Sequence, residues 1–130
     1  DFANITASHA TSKLQNFEDL EKLGTFGFRG EALSSLCAVS KLSITTRTKD
    51  QDVGFYLEFD HRGKISKQER KAREVGTTVV VQEIFKNIKV RHSEFKRTIK
   101  AHFSKAVSLI QSYALIANGV RIVIKNEEPK

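Results

Sequence analysis

The chain has 130 residues, 39% of them hydrophobic, and a formal net charge of +7. These values fit one domain, or part of one, with enough apolar side chains for a core. No run of about 18 apolar residues is present to span a bilayer, and the first residues, DFANIT, lack the basic and apolar regions of a signal peptide. Neither a membrane protein nor an exported protein is expected.

The cysteine and histidine residues predict neither a disulfide nor a metal site. Cys37 is the one cysteine, and its apolar neighbours in LSSLCAV predict a small buried residue in a reducing compartment. The four histidines have no paired metal-ligand spacing with one another or with Cys37. They are His9, His61, His92 and His102.

The first half of the chain predicts helices followed by strands. Asn16 can cap the helical segment FEDLEKL, and the next helix, EALSSLCAV, has its leucines and Cys37 on one face. The segment KLSITTRT then alternates as a strand, and VGFYLEFD has four apolar residues on one face. Turn residues at 60–63 lead into a continuation around Ile65, which predicts an antiparallel hairpin.

The second half predicts two strands and one long helix. Residues 66–74, SKQERKARE, have no apolar stripe and predict a mobile loop or a frayed strand. GTTVVVQEIF predicts a β-branched strand in the centre of the sheet. Ser93 can cap a helix that ends near Asn118, and VRIVIKN predicts a last strand. The predicted fold is α+β, a layered sandwich of helices on a mostly antiparallel mixed sheet.

Positive charge is concentrated between Lys86 and Lys105, a segment with seven Lys and Arg residues and one acidic residue, Glu94. A basic surface attracts phosphate groups, and salt weakens that attraction. A charge run on a helix is also typical of a solvated face, so both interpretations stay open.

The stretch LGTFGFRGEAL contains three glycines, Gly24, Gly27 and Gly30, directly before a predicted helix. Glycines free the backbone, Arg29 adds a fixed positive charge, and the helix start offers unpaired amides. Such a segment can bind phosphate. Its spacing matches neither the dinucleotide-binding nor the P-loop pattern, and plain turn geometry is the alternative.

Two further segments carry hydroxyl groups that could donate to a nucleotide. HATSK, residues 9–13, combines two hydroxyls with an ammonium, and EVGTTVVV places threonines at the start of a strand. Each segment alone is also typical of a polar turn.

Together, HATSK, GFRGEALSSL, GTTVVV and VRHSEFKR closely resemble the MutL family of DNA mismatch-repair proteins over essentially the whole chain. The SSLC and VRHSEF segments are most similar to the eukaryotic post-meiotic-segregation branch, whose members are a subunit of the MutLα heterodimer. The resemblance implies a Bergerat-type ATPase domain, the type shared by gyrase, Hsp90, histidine kinases and MutL.

The resemblance also implies an ATP site, residue by residue. The glycine motif and the helix start of this chain would wrap the triphosphate, and HATSK would lie beside the phosphates and magnesium. A threonine would help to recognise adenine. In this family the general base, the magnesium-binding asparagine and the D-x-G-x-G aspartate lie upstream, so no catalytic residue is assigned here. The implied ATP-binding residues are Thr11, Ser12, Lys13, Gly27, Phe28, Arg29, Gly30, Glu31, Ala32, Leu33 and Thr77.

The expected role is that of a nuclear ATPase in DNA mismatch repair. The implied cofactors are ATP and magnesium, and the implied partners are another MutL homologue, MutS homologues and the backbone of double-stranded DNA. The chain is expected to be the C-terminal part of a single ATP-binding domain, residues 1–130, incomplete at its N-terminus. The candidate DNA-backbone contacts are Lys86, Lys89, Arg91, Lys96, Arg97 and Lys100.

Two positions depart from the family pattern, and two other functions stay open. Ser8 stands where bacterial members have arginine, and Lys89 stands where proline is usual. A GFRG loop between helices is also typical of the K-homology module, which clamps a nucleic-acid backbone. A non-catalytic fragment that binds a partner is the third possibility.

Overall fold

A computed structural model describes Phe2 and residues 31–127 of the chain. The chain divides into two compact units, Asp1–Lys89 and Val90–Lys130. The predicted helix at FEDLEKL lies outside the described residues. The described elements are α1 (Ala32–Val39), β1 (Lys41–Arg47), β2 (Gly54–Phe59), β3 (Ile65–Lys71), β4 (Gly76–Gln82) and α2 (Lys89–Ile116).

The four strands form one sheet in the order β3-β2-β1-β4, and every neighbouring pair is antiparallel. The α+β prediction is confirmed. Alternate residues of β1 and β2 point to one face of the sheet, where α1 covers them. Leu33 and Leu36 of α1 pack against this core, as the helical spacing predicts. The buried core residues are Cys37, Leu42, Ile44, Leu57 and Phe59.

Residues 66–71 form most of β3, so of the two predicted alternatives, a mobile loop or a frayed strand, the structure has the strand. β3 pairs with β2 along its length, with one irregularity at Glu58 and Phe59. All six residues after Ile65 are exposed, and β3 is an edge strand of the described sheet. Charged side chains are common on such edges because they discourage pairing with other chains. Here a salt bridge joins Lys67 to Glu69 at 3.0 Å.

β4 is the other edge of the described sheet, which corrects the prediction of a central position. Val79 is 46% exposed and Val80 is 38% exposed. A run of β-branched residues indicates a strand, but it does not say how many neighbours that strand has.

The predicted hairpin between β2 and β3 is confirmed, and Asp60 organises its turn. Asp60 Oδ1 accepts hydrogen bonds from the amides of Arg62 and Lys64, both at 2.9 Å. Gly63 has a φ of 78°, a conformation that glycine adopts without strain. The hydrogen bond from the Lys64 amide is the main reason that the pKa of Asp60 lies below its ordinary value of 3.8.

This turn predicts a pH dependence of stability. A lowered folded-state pKa means that the stabilising contribution is complete above the unfolded pKa and is lost as the pH falls through the folded one. Asp60→Asn keeps an acceptor oxygen but does not titrate, so its thermal midpoint should fall less between about pH 5 and pH 3. Parallel declines in the two proteins would contradict this. Asp52→Asn, at an exposed position, controls for the lost charge.

The helix α2 begins at Lys89, four residues before the predicted start, and its other residues belong to the second unit. Ser93 is therefore an exposed residue inside the helix and not its cap. The C-terminal end agrees with prediction, because α2 ends at Ile116 and Gly119 has a φ of 69°. Residues 120–126 form no strand in the described structure, which corrects the prediction made from VRIVIKN.

The described residues contain neither a candidate membrane span nor a candidate metal cluster. No described helix combines the length and the apolar character needed to cross a membrane. Within the same residues, no group of three or more His, Cys, Asp or Glu side chains could hold a metal ion.

Candidate nucleotide site

The first turn of α1 begins with three amides that precede its described helical hydrogen bonds. Ser35 N donates to Glu31 O at 2.9 Å and begins the helical hydrogen bonding. The amides of Ala32, Leu33 and Ser34, which precede it, donate to no acceptor among the residues that the structure describes. No acidic side chain lies in this first turn, and Glu31 makes no side-chain cap. Such a helix start favours an anion.

The threonine pair Thr46 and Thr77 lies at one end of the β1 and β4 ladder. The two residues are opposite each other in the register, and their hydroxyl oxygens are 2.8 Å apart. Thr46 is on the same face of β1 as the buried Ile44, so both hydroxyls lie on the face that α1 covers. Thr77 is exposed and can offer its hydroxyl to a ligand.

The first turn of α1 and this threonine pair lie toward the same end of the sheet. Only Ser40 separates α1 from β1, and Leu33 packs on the core, so α1 runs back along β1. The eight residues of α1 extend about 12 Å, roughly the length of four strand residues. The helix start therefore lies over the half of β1 that leads to Thr46.

Four members of the predicted ATP site are described, three of them at the start of α1 and one in β4. These are Glu31, Ala32, Leu33 and Thr77. Thr46 was not predicted from sequence, because its only signal was its place in an alternating strand. The other predicted members lie outside the described residues: Thr11, Ser12, Lys13, Gly27, Phe28, Arg29 and Gly30.

The opposite end of α1 is held by four hydrogen bonds, which we call the α1 clasp. Ser40 Oγ donates to Leu36 O at 2.5 Å, and Phe85 N donates to Val39 O at 2.7 Å. His61 Nδ1 lies 3.0 Å from Cys37 O, and Asn87 Nδ2 donates to Ala38 O at 3.1 Å. The last four carbonyls of a helix have no partner within it. In α1 all four have one, from Ser40, His61, Phe85 and Asn87.

Two clasp residues belong to the loop of residues 83–88, which has a strained backbone. Glu83 has a φ of 55° and Phe85 a φ of 61°, which are unfavourable for residues with side chains. Lys86 Nζ donates to Glu83 Oε1 at 2.8 Å, and this hydrogen bond lowers the pKa of Glu83. The predicted DNA contact Lys86 is therefore engaged in an ion pair.

A cavity of about 330 Å³ lies beside the clasp. It is at the C-terminal end of α1, away from the helix start, so it is not the predicted position of the phosphates. Its lining residues are Ser40, Lys41, Phe59, Asp60, His61, Glu83, Lys86 and Asn87.

The remaining predicted DNA contacts lie on α2. A helix turns by about 100° per residue, so Lys89, Lys96 and Lys100 share one face and Arg97 flanks it. Arg91 lies on the other side of the helix. The candidate basic surface therefore has its positive charge mainly in the first three turns of α2 and on one face.

Comparison with known proteins identifies the family. No family model matches the chain. DNA mismatch repair protein PMS1 of Arabidopsis thaliana is 50% identical over 99% of the chain, and human mismatch repair endonuclease PMS2 is 47% identical over 97%. The chain spans 14% and 15% of these proteins, respectively.

Solved structures that resemble this chain agree with the relatives found by sequence. The N-terminal domain of a DNA repair protein has a TM-score of 0.69 and 41% identity, covering 88% of this chain and 32% of that one. The Aquifex aeolicus MutL ATPase domain complexed with ADP has a TM-score of 0.58 and 32% identity, and the match covers 78% of this chain and 39% of that one.

The described residues have the fold of a MutL-type ATPase domain, and the chain belongs to the MutL family. Within that family, its relatives at 42–50% identity are PMS1 and PMS2 proteins. The K-homology alternative finds no support in these similarities.

Proposed function

We propose that this chain forms part of the ATP-binding and ATP-hydrolysing site of a MutL-type DNA mismatch-repair protein. The observation that carries the proposal is the start of α1, where the amides of Ala32, Leu33 and Ser34 donate to no acceptor among residues 31–127, together with the exposed Thr77 hydroxyl on the face of the sheet that α1 covers. The ADP complex of the Aquifex aeolicus domain supports it, because that relative shares the fold.

The described residues fit a nucleotide. The amides of α1 and the positive end of its dipole suit a phosphate chain. The hydroxyl of Thr77 can bond to adenine directly or through water. Gly27, Arg29 and Gly30 would continue the phosphate site from the preceding segment, and Thr11, Ser12 and Lys13 would line its other side.

The residues of this chain bind and orient the nucleotide, and none takes a proton. Glu31 is the N-cap of α1 and is not assigned as the general base. The base, a magnesium-binding asparagine and an adenine-reading aspartate would come from upstream residues of the same domain. Bound magnesium would neutralise phosphate charge while water attacks the γ-phosphate.

Nucleotide binding would order the loops around the phosphates and favour a state in which two amino-terminal domains associate. Slow hydrolysis would then release them. The expected partner is another MutL homologue, with MutS homologues acting before it in the nucleus. The names of the relatives support a role in mismatch repair.

The basic face of α2 would contact the DNA backbone. Lys89, Lys96 and Lys100 share that face, and Arg97 lies next to it. Flexible cationic side chains contact phosphates without reading sequence, so this binding would weaken as salt increases.

The test is an equilibrium titration of ADP and ATP against two proteins: this chain, and this chain with its native upstream residues. Binding by the longer protein alone is the expected result, because the base, the magnesium ligand and the adenine-reading aspartate would all be upstream. Absence of nucleotide binding in both would overturn the proposal and favour a partner-binding role.

A further inference from the structure

We infer that Asn87 and His61 are positioning residues for the nucleotide site, because they hold the far end of the helix whose first turn would bind the phosphates. The inference rests on the proposed function. It assigns a role to the loop of residues 83–88 and to the tip of the β2–β3 hairpin, neither of which contains a predicted nucleotide-binding residue.

The helix needs such support because it is short. α1 has eight residues, and isolated helices below about 12–15 residues are marginal in water. Its conformation and position therefore depend on tertiary contacts. A phosphate site built from main-chain amides requires those amides to keep a fixed position.

Core packing holds α1 in only some directions. Leu33, Leu36 and Cys37 all lie on the face toward the sheet, so they fix the height and rotation of the helix. Apolar contacts are not directional and resist sliding along the axis poorly. Hydrogen bonds to the terminal carbonyls are directional, because these carbonyls point along the helix axis.

The clasp bonds come from parts of the chain that are distant in sequence. Asn87 is 49 residues from its acceptor, Ala38 O, and His61 is 24 residues from its acceptor, Cys37 O. Because a carbonyl oxygen only accepts, the His61 contact places the proton on Nδ1. The hairpin tip and the loop of residues 83–88 therefore meet at one end of α1.

The backbone of residues 83–88 indicates that this loop is held in place by its contacts. Glu83 and Phe85 are both in the left-handed region, which persists only where the surroundings determine the conformation. Phe85 N bonds to Val39 O, and Ile88 N bonds to Phe85 O at 2.8 Å. This arrangement presents the Asn87 amide to Ala38 O.

The test uses Asn87→Asp in the protein that carries the native upstream residues. The substitution keeps the side-chain shape but replaces the donor with an acceptor facing Ala38 O. Two quantities are measured: the affinity for ADP, and the hydrogen-exchange rate of amides in α1 compared with those in β1 and β2. Asn126→Asp, at an exposed position outside the helices and strands, is the matched control.

The expected result is binding of ADP weakened about threefold to tenfold, which is the size of one lost hydrogen bond. Exchange should accelerate in α1 and stay unchanged in β1 and β2. A second pair of variants tests His61: His61→Leu should reproduce both changes, and His61→Asn, whose amide N–H can replace the Nδ1 donor, should largely restore them.

The remaining outcomes each decide the inference. Faster exchange in α1 with unchanged ADP affinity would overturn the positioning role. Unchanged exchange in α1 would overturn the clasp itself. If the unsubstituted protein does not bind ADP, the proposed function fails and the positioning role fails with it, whereas the exchange data still report whether the clasp holds α1.

Discussion

Replacing Gly30 with valine is expected to weaken nucleotide binding at least about tenfold, equal to ~1.4 kcal/mol. Gly30 directly precedes Glu31, the N-cap of α1, so in sequence it adjoins the proposed phosphate site. A branched side chain would occupy space that the phosphates need and would restrict a backbone that glycine leaves free. An equilibrium titration with ADP, in the protein with its native upstream residues, measures the loss.

The control for this variant is Ser35→Val, which introduces the same side chain at an exposed position on α1. Its affinity for ADP should match that of the unsubstituted protein. The Gly30→Val protein should also fail to show ATP-dependent association of amino-terminal domains, which sedimentation can measure. An affinity for ADP equal to that of the control would contradict the placement of the phosphates next to Gly30.

The inner part of the fold could be predicted from sequence because its pattern is local. The leucines and Cys37 of α1 recur at helical spacing, and Leu42 and Ile44 alternate in β1. Both sets are on the face that the structure buries. Each period depends only on backbone geometry, so neighbouring residues carry the whole signal.

The parts that could not be predicted depend on distant partners or on weak local preferences. Residues 65–71 form a strand because β2 pairs with them, although these residues have no apolar stripe. The opposite case is VRIVIKN, which has the composition of a strand but no partner among the described residues. At α2, nothing between Lys89 and Ser93 interrupts a helix, so the helix begins before the capping residue.

The candidate site shows the same division. The glycine motif and the start of α1 are adjacent in sequence, so they predicted a phosphate site directly. Thr46 and Thr77 are 31 residues apart and meet only through the register of β1 and β4. The link from Asn87 to α1 is longer still, and no local pattern indicates which carbonyl an asparagine will bond to.

Leu57→Ala is expected to lower the free energy of unfolding by about 2–5 kcal/mol, because it leaves a cavity where a fully buried side chain packed. Leu57 is 0% exposed and lies opposite Ile44, between the two inner strands and α1. Small domains are stable by only about 5–15 kcal/mol, so this one change removes a large share of the free energy of unfolding. Urea unfolding measures this loss.

Leu115→Ala is the matched control, because Leu115 is 87% exposed and the substitution removes the same atoms. The control should stay within about 0.5 kcal/mol of the unsubstituted protein. Equal losses at the two leucines would mean that the packing between α1 and the sheet is not the core that holds α1 in place.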